Sequence, residues 1–145
     1  MEKVEFGSPA WIELMADLFQ RAATASPTRP PDVTLCEIYR NAPPHLAPAG
    51  QRDIAWTLTL RDGVVTMTPQ ACPDGEADRK SEGEYDEIIH IARLIVTPAN
   101  GADYAARVAE LGRSGKYRKI KELPANRGGM EAFADLHNLM ARATK

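Results

Sequence analysis

The stretch Ile54-Ala-Trp-Thr-Leu-Thr-Leu-Arg-Asp-Gly-Val-Val-Thr-Met-Thr68 reads as a β-hairpin with one apolar face. Asp62-Gly63 is a strong turn signal, because a type I′ turn needs positive φ at both central residues. With those two residues as the loop, Arg61 faces Val64, Leu60 faces Val65 and Leu58 faces Met67. Trp56 and Ile54 continue the apolar face. The other face carries Thr57, Thr59, Thr66 and Thr68, a β-favourable surface that can meet water. The hairpin therefore predicts a sheet with one buried side.

The rest of the chain must supply what covers that side. At 145 residues it is long enough for a single domain, spanning 1–145, with a core of its own. A formal net charge of −2 argues against a nucleic-acid partner, which a basic excess would favour. The charge is uneven: Arg113, Lys116, Arg118, Lys119 and Lys121 form a basic run, while residues 74–87 are mostly acidic. No apolar run is long enough for a transmembrane segment, and the N-terminus lacks a secretory apolar region. Cys36 and Cys72 have no metal-ligand spacing, which fits a reducing, cytoplasmic setting without a structural disulfide.

Ser8-Pro9 is a good helix start, and a helix is expected from there to about Thr24. Its apolar stripe is Trp11, Leu14, Met15, Leu18 and Ala22, with Glu13, Asp17, Gln20 and Arg21 opposite. Residues 26–31 are a proline-rich break. Val33 to Arg40 reads as a strand, followed by a loop from Asn41 to Gly50. After the hairpin come a polar loop, Pro69 to Asp78, and a short charged strand near Arg79 to Glu82. A helix is expected over Tyr85 to Val96, ended by Pro98. Asn100 to Glu110 reads as a short extra helix or a mobile insertion, and Lys116 to Lys121 as the last strand. A final helix from about Gly129 to Ala143 puts Phe133, Leu136, Leu139 and Met140 inward, with Glu131, Asp135, Asn138 and Arg142 on a solvated face. This order predicts an α+β domain, with helices stacked on one face of a small, mostly antiparallel sheet.

Catalytic and metal signatures are weak. Gly112-Arg-Ser-Gly-Lys116 lacks the hydroxyl residue a phosphate-binding loop places after its lysine, and it precedes a strand. Glu87-Ile-Ile-His90 spaces a carboxylate and an imidazole as one di-iron ligand pair would be, but there is no second pair and no bundle, so a solvated helix face is expected. His137 borders the apolar stripe of the last helix as a partly buried, hydrogen-bonded side chain. His45 lies among prolines. No catalytic residue, metal or cofactor is assigned. The apolar inventory instead offers adaptable Leu, Ile and Met side chains, which suit either a filled core or an apolar pocket.

Four stretches, in this order and spacing, resemble the lipid-binding domain of the sterol carrier protein type 2 family over nearly the whole chain. They are Phe6-Gly-Ser-Pro-Ala-Trp11, Trp56-Thr-Leu-Thr-Leu-Arg-Asp-Gly63, Tyr85-Asp-Glu-Ile-Ile89 and Gly115-Lys-Tyr-Arg-Lys-Ile-Lys121. The resemblance implies a five-stranded sheet covered by helices. It also implies a hydrophobic tunnel for sterols or steroids, fatty acids or fatty acyl compounds, and no catalytic residues. Two departures stand out. Glu122 occupies the place of the family's usual glycine, and residues 97–114 are longer than the minimal pattern, enough to cap or reshape the tunnel.

The leading expectation is non-catalytic binding and intracellular carriage of a small hydrophobic ligand. The expected wall residues are Trp56, Leu58, Met67, Ile88, Ile91, Ala92, Ile95, Phe133, Leu136 and Met140. A larger aromatic at Leu58 or Met67 should then block ligand and spare the fold. The alternatives are a small isomerase or cyclase for a steroid-like substrate, with His90 or His137 as base, and an adaptor that docks an acidic surface through the basic run. The oligomeric state is not readable from the sequence.

Overall fold

The computed structural model describes residues 2–124 and 128–145. Five strands, β1 (Val33–Arg40), β2 (Ile54–Arg61), β3 (Val64–Thr68), β4 (Arg79–Glu84) and β5 (Tyr117–Lys121), form one mixed sheet in the order β3-β2-β1-β4-β5. Among the described residues the α-helices are α1 (Pro9–Ala25), α2 (Tyr85–Ala92), α3 (Gly101–Arg113) and α4 (Leu136–Ala143). Among the described strands β1 and β4 pair in parallel, and the β1–β2, β2–β3 and β4–β5 pairings are antiparallel.

The hairpin register is the one its turn dictates: Arg61 opposite Val64, Leu60 opposite Val65, Leu58 opposite Met67. Asp62 (φ 51°) and Gly63 (φ 78°) supply the two left-handed residues a type I′ turn requires. Gln20 of α1 fastens this corner: its Nε2 donates to Gly63 O at 2.9 Å and its Oε1 accepts from Val65 N at 2.9 Å. A residue expected on the solvated side of the helix thus holds the turn under it.

The sheet buries Val33, Leu35 and Tyr39 of β1 and Ile54, Trp56, Leu58 and Leu60 of β2 on its helix-facing side. The expected stripe of α1 is corrected by a small rotation. Trp11, Met15, Phe19 and Ala23, spaced by four, are buried, whereas Leu14, Leu18 and Ala22 are only partly so. Phe6 is 1% exposed and gathers three rings, with Trp11 at 4.9 Å, Tyr39 at 4.7 Å and Tyr85 at 5.1 Å. Offset and edge contacts of this kind add stabilisation beyond the area buried. Gly7 follows with φ +79°, and a Cβ there would come within 2.5 Å of Ile54 Cδ1, so the close approach needs glycine.

The outer face departs from the expectation of a solvated threonine surface. Thr66 and Thr68 are exposed, but Thr57 and Cys36 are buried. The loop after β3 folds back over them: Thr57 Oγ1 donates to Gln70 O at 2.7 Å, and Lys80 Nζ donates to Cys72 O and Asp74 Oδ1 at 2.6 and 2.7 Å. A buried ammonium is tolerable because both bonds are charge-assisted. Both cysteines are free thiols.

Two helices are shorter than their apolar periodicity predicts. α2 stops at Ala92, because the next apolar residues run as an irregular segment held by α4. Val96 N donates to Asn138 Oδ1, Asn138 Nδ2 donates to Val96 O, and His137 Nε2 donates to Leu94 O, all at 2.8 Å. These tertiary bonds replace the helical ones, and Pro98 disfavours helix at Thr97. Asn138 is therefore a clamp rather than part of a solvated face. The final helix starts at Leu136, after a single 3-10 turn at Glu131–Phe133. Leu139, expected inward, is 42% exposed, since α4 packs along the line of Leu136, Met140 and Ala143. Residues 101–113 form a full helix, not a mobile insertion.

Tyr85 anchors α2 to the N-terminal segment through a 2.6 Å hydrogen bond from its hydroxyl to Phe6 O. Burial, reinforced by the Glu5 and Asp86 charges, pushes this phenol from 10.0 up to about 12. An unfolded chain releases the proton near pH ~10, so above that pH the folded state holds more protons and stability falls as pH rises toward about 12. Tyr85→Phe should cost about 1 kcal/mol at neutral pH through the lost bond. It should also flatten the alkaline fall in denaturation free energy. An alkaline slope equal to that of the parent would show that the phenol is not linked to folding.

Candidate functional site

The helix-facing parity of the sheet does not run apolar throughout. In β1 it reads Val33, Leu35, Glu37, Tyr39, and in β4 it begins with Arg79, which lies opposite Leu35. Beneath these residues the helices leave a partly open cavity of about 290 Å³. Its floor is Leu35, Glu37, Tyr39, Trp56, Arg79 and Tyr117 of the sheet. Trp11, Met15 and Phe19 of α1 wall one side; Ile88, Ile91 and Ala92 of α2 wall another. Phe6 of the segment before α1, Tyr104, Val108 and Leu111 of α3, and Leu136, His137 and Met140 of α4 complete it. Most of this surface is hydrocarbon and aromatic ring, as in ligand cavities generally.

The polar exception is a chain of hydrogen bonds across the floor. Trp56 Nε1 donates to Tyr39 Oη at 2.9 Å, and the Tyr39 hydroxyl donates to Glu37 Oε2. Glu37 Oε1 accepts from Arg79 Nη1 at 3.4 Å, closing an ion pair. Burial, then the Glu37 charge, holds the Tyr39 phenol well above its ordinary range, so it stays a neutral donor. Burial works against the Arg79 charge, but the Glu37 carboxylate together with Tyr117 and Tyr39 outweighs it and raises the guanidinium above its usual value. Tyr104, raised chiefly by burial, meets the His137 ring edge-on at 5.4 Å. The result is a greasy chamber with one compensated charge pair and several neutral hydroxyls.

Of the expected wall residues, Trp56, Ile88, Ile91, Ala92, Leu136 and Met140 line this cavity. The others lie elsewhere. Leu58 is fully buried in the core and contributes nothing to the wall. Met67 lies near the sheet edge and lines a separate, open groove with Ile12, Leu46 and Ile54. Ile95 lies beyond the end of α2, and Phe133 packs on Phe19 at 5.0 Å, behind the wall. Glu37 and Arg79 were missed. The parity of β1 carried the signal for Glu37, since it shares a face with Leu35 and Tyr39, whereas nothing local marks Arg79.

Other sequence features are structural. Glu87 pairs with Lys116 at 3.2 Å, and His90 contacts Arg93 on the surface. No cluster of metal-binding side chains occurs among the described residues. In Gly112–Lys116 the backbone N–H groups are spent on the end of α3: Ser114 N to Glu110 O, Gly115 N to Gly112 O, Lys116 N to Leu111 O. They cannot cradle a phosphate. The basic run is largely matched, with Arg113 on Glu110, Lys116 on Glu87, Arg118 on Glu82 and Lys119 on Glu122. Charged side chains on an edge strand such as β5 also guard it against pairing with other chains.

This arrangement of a five-stranded mixed sheet and helices matches the fold of sterol carrier proteins. The chain is similar to the crystal structure of sterol carrier protein 2, with a TM-score of 0.51, 14% identity and 96% of each chain covered. It is equally similar to the solution structure of a conserved hypothetical protein from Thermus thermophilus, suggested to be a sterol carrier protein. There the TM-score is 0.51 and the identity 13%, over 100% of this chain and 94% of the other. No protein-family model and no curated protein sequence matches the chain. Among the described residues no helix is long and apolar enough to cross a membrane.

Proposed function

We propose that the protein binds a small hydrophobic molecule in the cavity between sheet and helices and carries it, without chemical conversion, in the cytoplasm. The supporting observation is the cavity itself: about 290 Å³ of mainly apolar space with a single polar strip on its floor. A domain of this size normally fills such space with side chains, since interiors are close-packed. The volume lies near the lower end of the ~300–1,000 Å³ typical of ligand pockets, which favours a slender ligand over a bulky one. The sterol-carrier fold of its structural neighbours points the same way. The free thiols accord with a reducing compartment.

A catalytic reading would need a base in the cavity. His90 lies outside it, His137 lines it with Nε2 donating to Leu94 O, and the Glu37 carboxylate there is engaged by Tyr39 and Arg79. Carriage is the simpler use of these walls.

The test is a series of n-alkanols of increasing length, titrated by quenching of tryptophan fluorescence, alongside native mass spectrometry of the freshly purified protein. Each methylene buried is worth about 0.8 kcal/mol, so affinity should rise roughly fourfold per carbon until the chamber is full, then level off. Absence of any binding across the series, together with a clean unliganded mass, would leave no basis for carriage.

A further inference from the structure

We infer that the polar strip selects ligands whose oxygen-bearing end is uncharged, an alcohol or a ketone, and rejects carboxylates, with Glu37 as the residue that sets this preference. The inference rests on the carrier reading and names the ligand class.

Arg79 lines the cavity, and among the described residues its side chain makes one hydrogen bond, Nη1 to Glu37 Oε1. A guanidinium carries five N–H donors, so donors remain for a ligand oxygen. Its charge, however, is already balanced. Glu37 sits beside it on the same floor and accepts from Arg79 through one oxygen and from Tyr39 through the other. Tyr39 Oη, accepting from Trp56 while donating to Glu37, keeps that carboxylate in place. A ligand hydroxyl or carbonyl oxygen reaching Arg79 gains a charge-assisted bond at no charge penalty. A ligand carboxylate at the same point brings a second anion next to the partly buried Glu37 carboxylate, and like charges at that distance repel. The apolar walls then take the hydrocarbon in either case, so the two ends differ chiefly in how they meet this charged strip.

The experiment compares 1-decanol with decanoate, which share a chain length, at pH 8 where the acid is ionised. Binding is read by tryptophan fluorescence and checked by calorimetry. The parent protein should prefer decanol by on the order of tenfold. Glu37→Gln keeps the shape and an acceptor for Tyr39 but frees the Arg79 charge, so the preference should invert by a similar factor. Arg79→Gln should weaken decanol and leave decanoate the weaker ligand still, because Glu37 then lacks its counter-charge. Decanoate binding as tightly as decanol to the parent would overturn the inference and leave carriage standing, even if neither variant folds. An unchanged preference in a folded Glu37→Gln protein would overturn it too. Binding of neither probe would remove carriage and the inference together.

Discussion

Ala92→Trp should abolish uptake of 1-decanol, with a loss of at least ~100-fold in affinity, while far-ultraviolet circular dichroism stays at the parent's level. Ala92 ends α2, is only partly buried and faces the cavity, so an indole there has the chamber itself to enter. An aromatic side chain buries about 150–250 Å² when enclosed, enough to take over the apolar surface a slender ligand would cover. The overpacking cost to the fold should be at the low end of the usual ~1–3 kcal/mol, because the new volume fills empty space. Decanol binding with undiminished affinity to a folded Ala92→Trp protein would place the ligand somewhere other than this cavity.

The second large effect concerns stability and goes the other way. Leu58→Ala should lower the free energy of unfolding by about 2–5 kcal/mol, a large share of the ~5–15 kcal/mol typical of a domain. Leu58 is fully buried, lies opposite Leu35 on one side and Met67 on the other, and has no part in the cavity. At a temperature where the variant is still folded, decanol affinity per folded molecule should match the parent. The contrast with Ala92→Trp separates core from wall: one variant unfolds easily and binds, the other folds and does not bind. A fall in denaturation midpoint worth less than about 1 kcal/mol would mean that the surrounding side chains close the gap. The sequence-based expectation that a larger aromatic at Leu58 blocks ligand and spares the fold does not survive its placement, since such a side chain would meet packed neighbours on every side.

The two residues show why wall and core could not be told apart beforehand. Leu58 and Trp56 share a strand face, with the same parity and similar hydrophobicity, yet Trp56 reaches the cavity and Leu58 does not. The difference lies in what the helices leave uncovered above each of them. Periodicity says which way a side chain points, not what it meets there.

Much of the framework was legible from local chemistry. Val33–Arg40, the hairpin and its register, the helix opened by Ser8-Pro9 and the sheet with one helix-covered face follow from period-two alternation, a turn that demands two left-handed residues, and a capping hydroxyl. Each of these is decided within a few residues along the chain. Where tertiary bonds competed with local preference, the reading failed: α2 ends early because Asn138 and His137, more than forty residues on, take up the backbone of residues 94–96.

The polar strip belongs wholly to the tertiary level. Glu37 and Arg79 meet because β4 pairs in parallel with β1, bringing together residues 42 apart in sequence. No local pattern encodes that pairing, and it turns two ordinary charged residues into the floor of an apolar chamber. The amino-acid order thus determined which elements form and which faces are apolar, because those depend on short-range geometry. The packing of helices over the sheet decided where space is left and which charges line it, because that depends on contacts between distant parts of the chain.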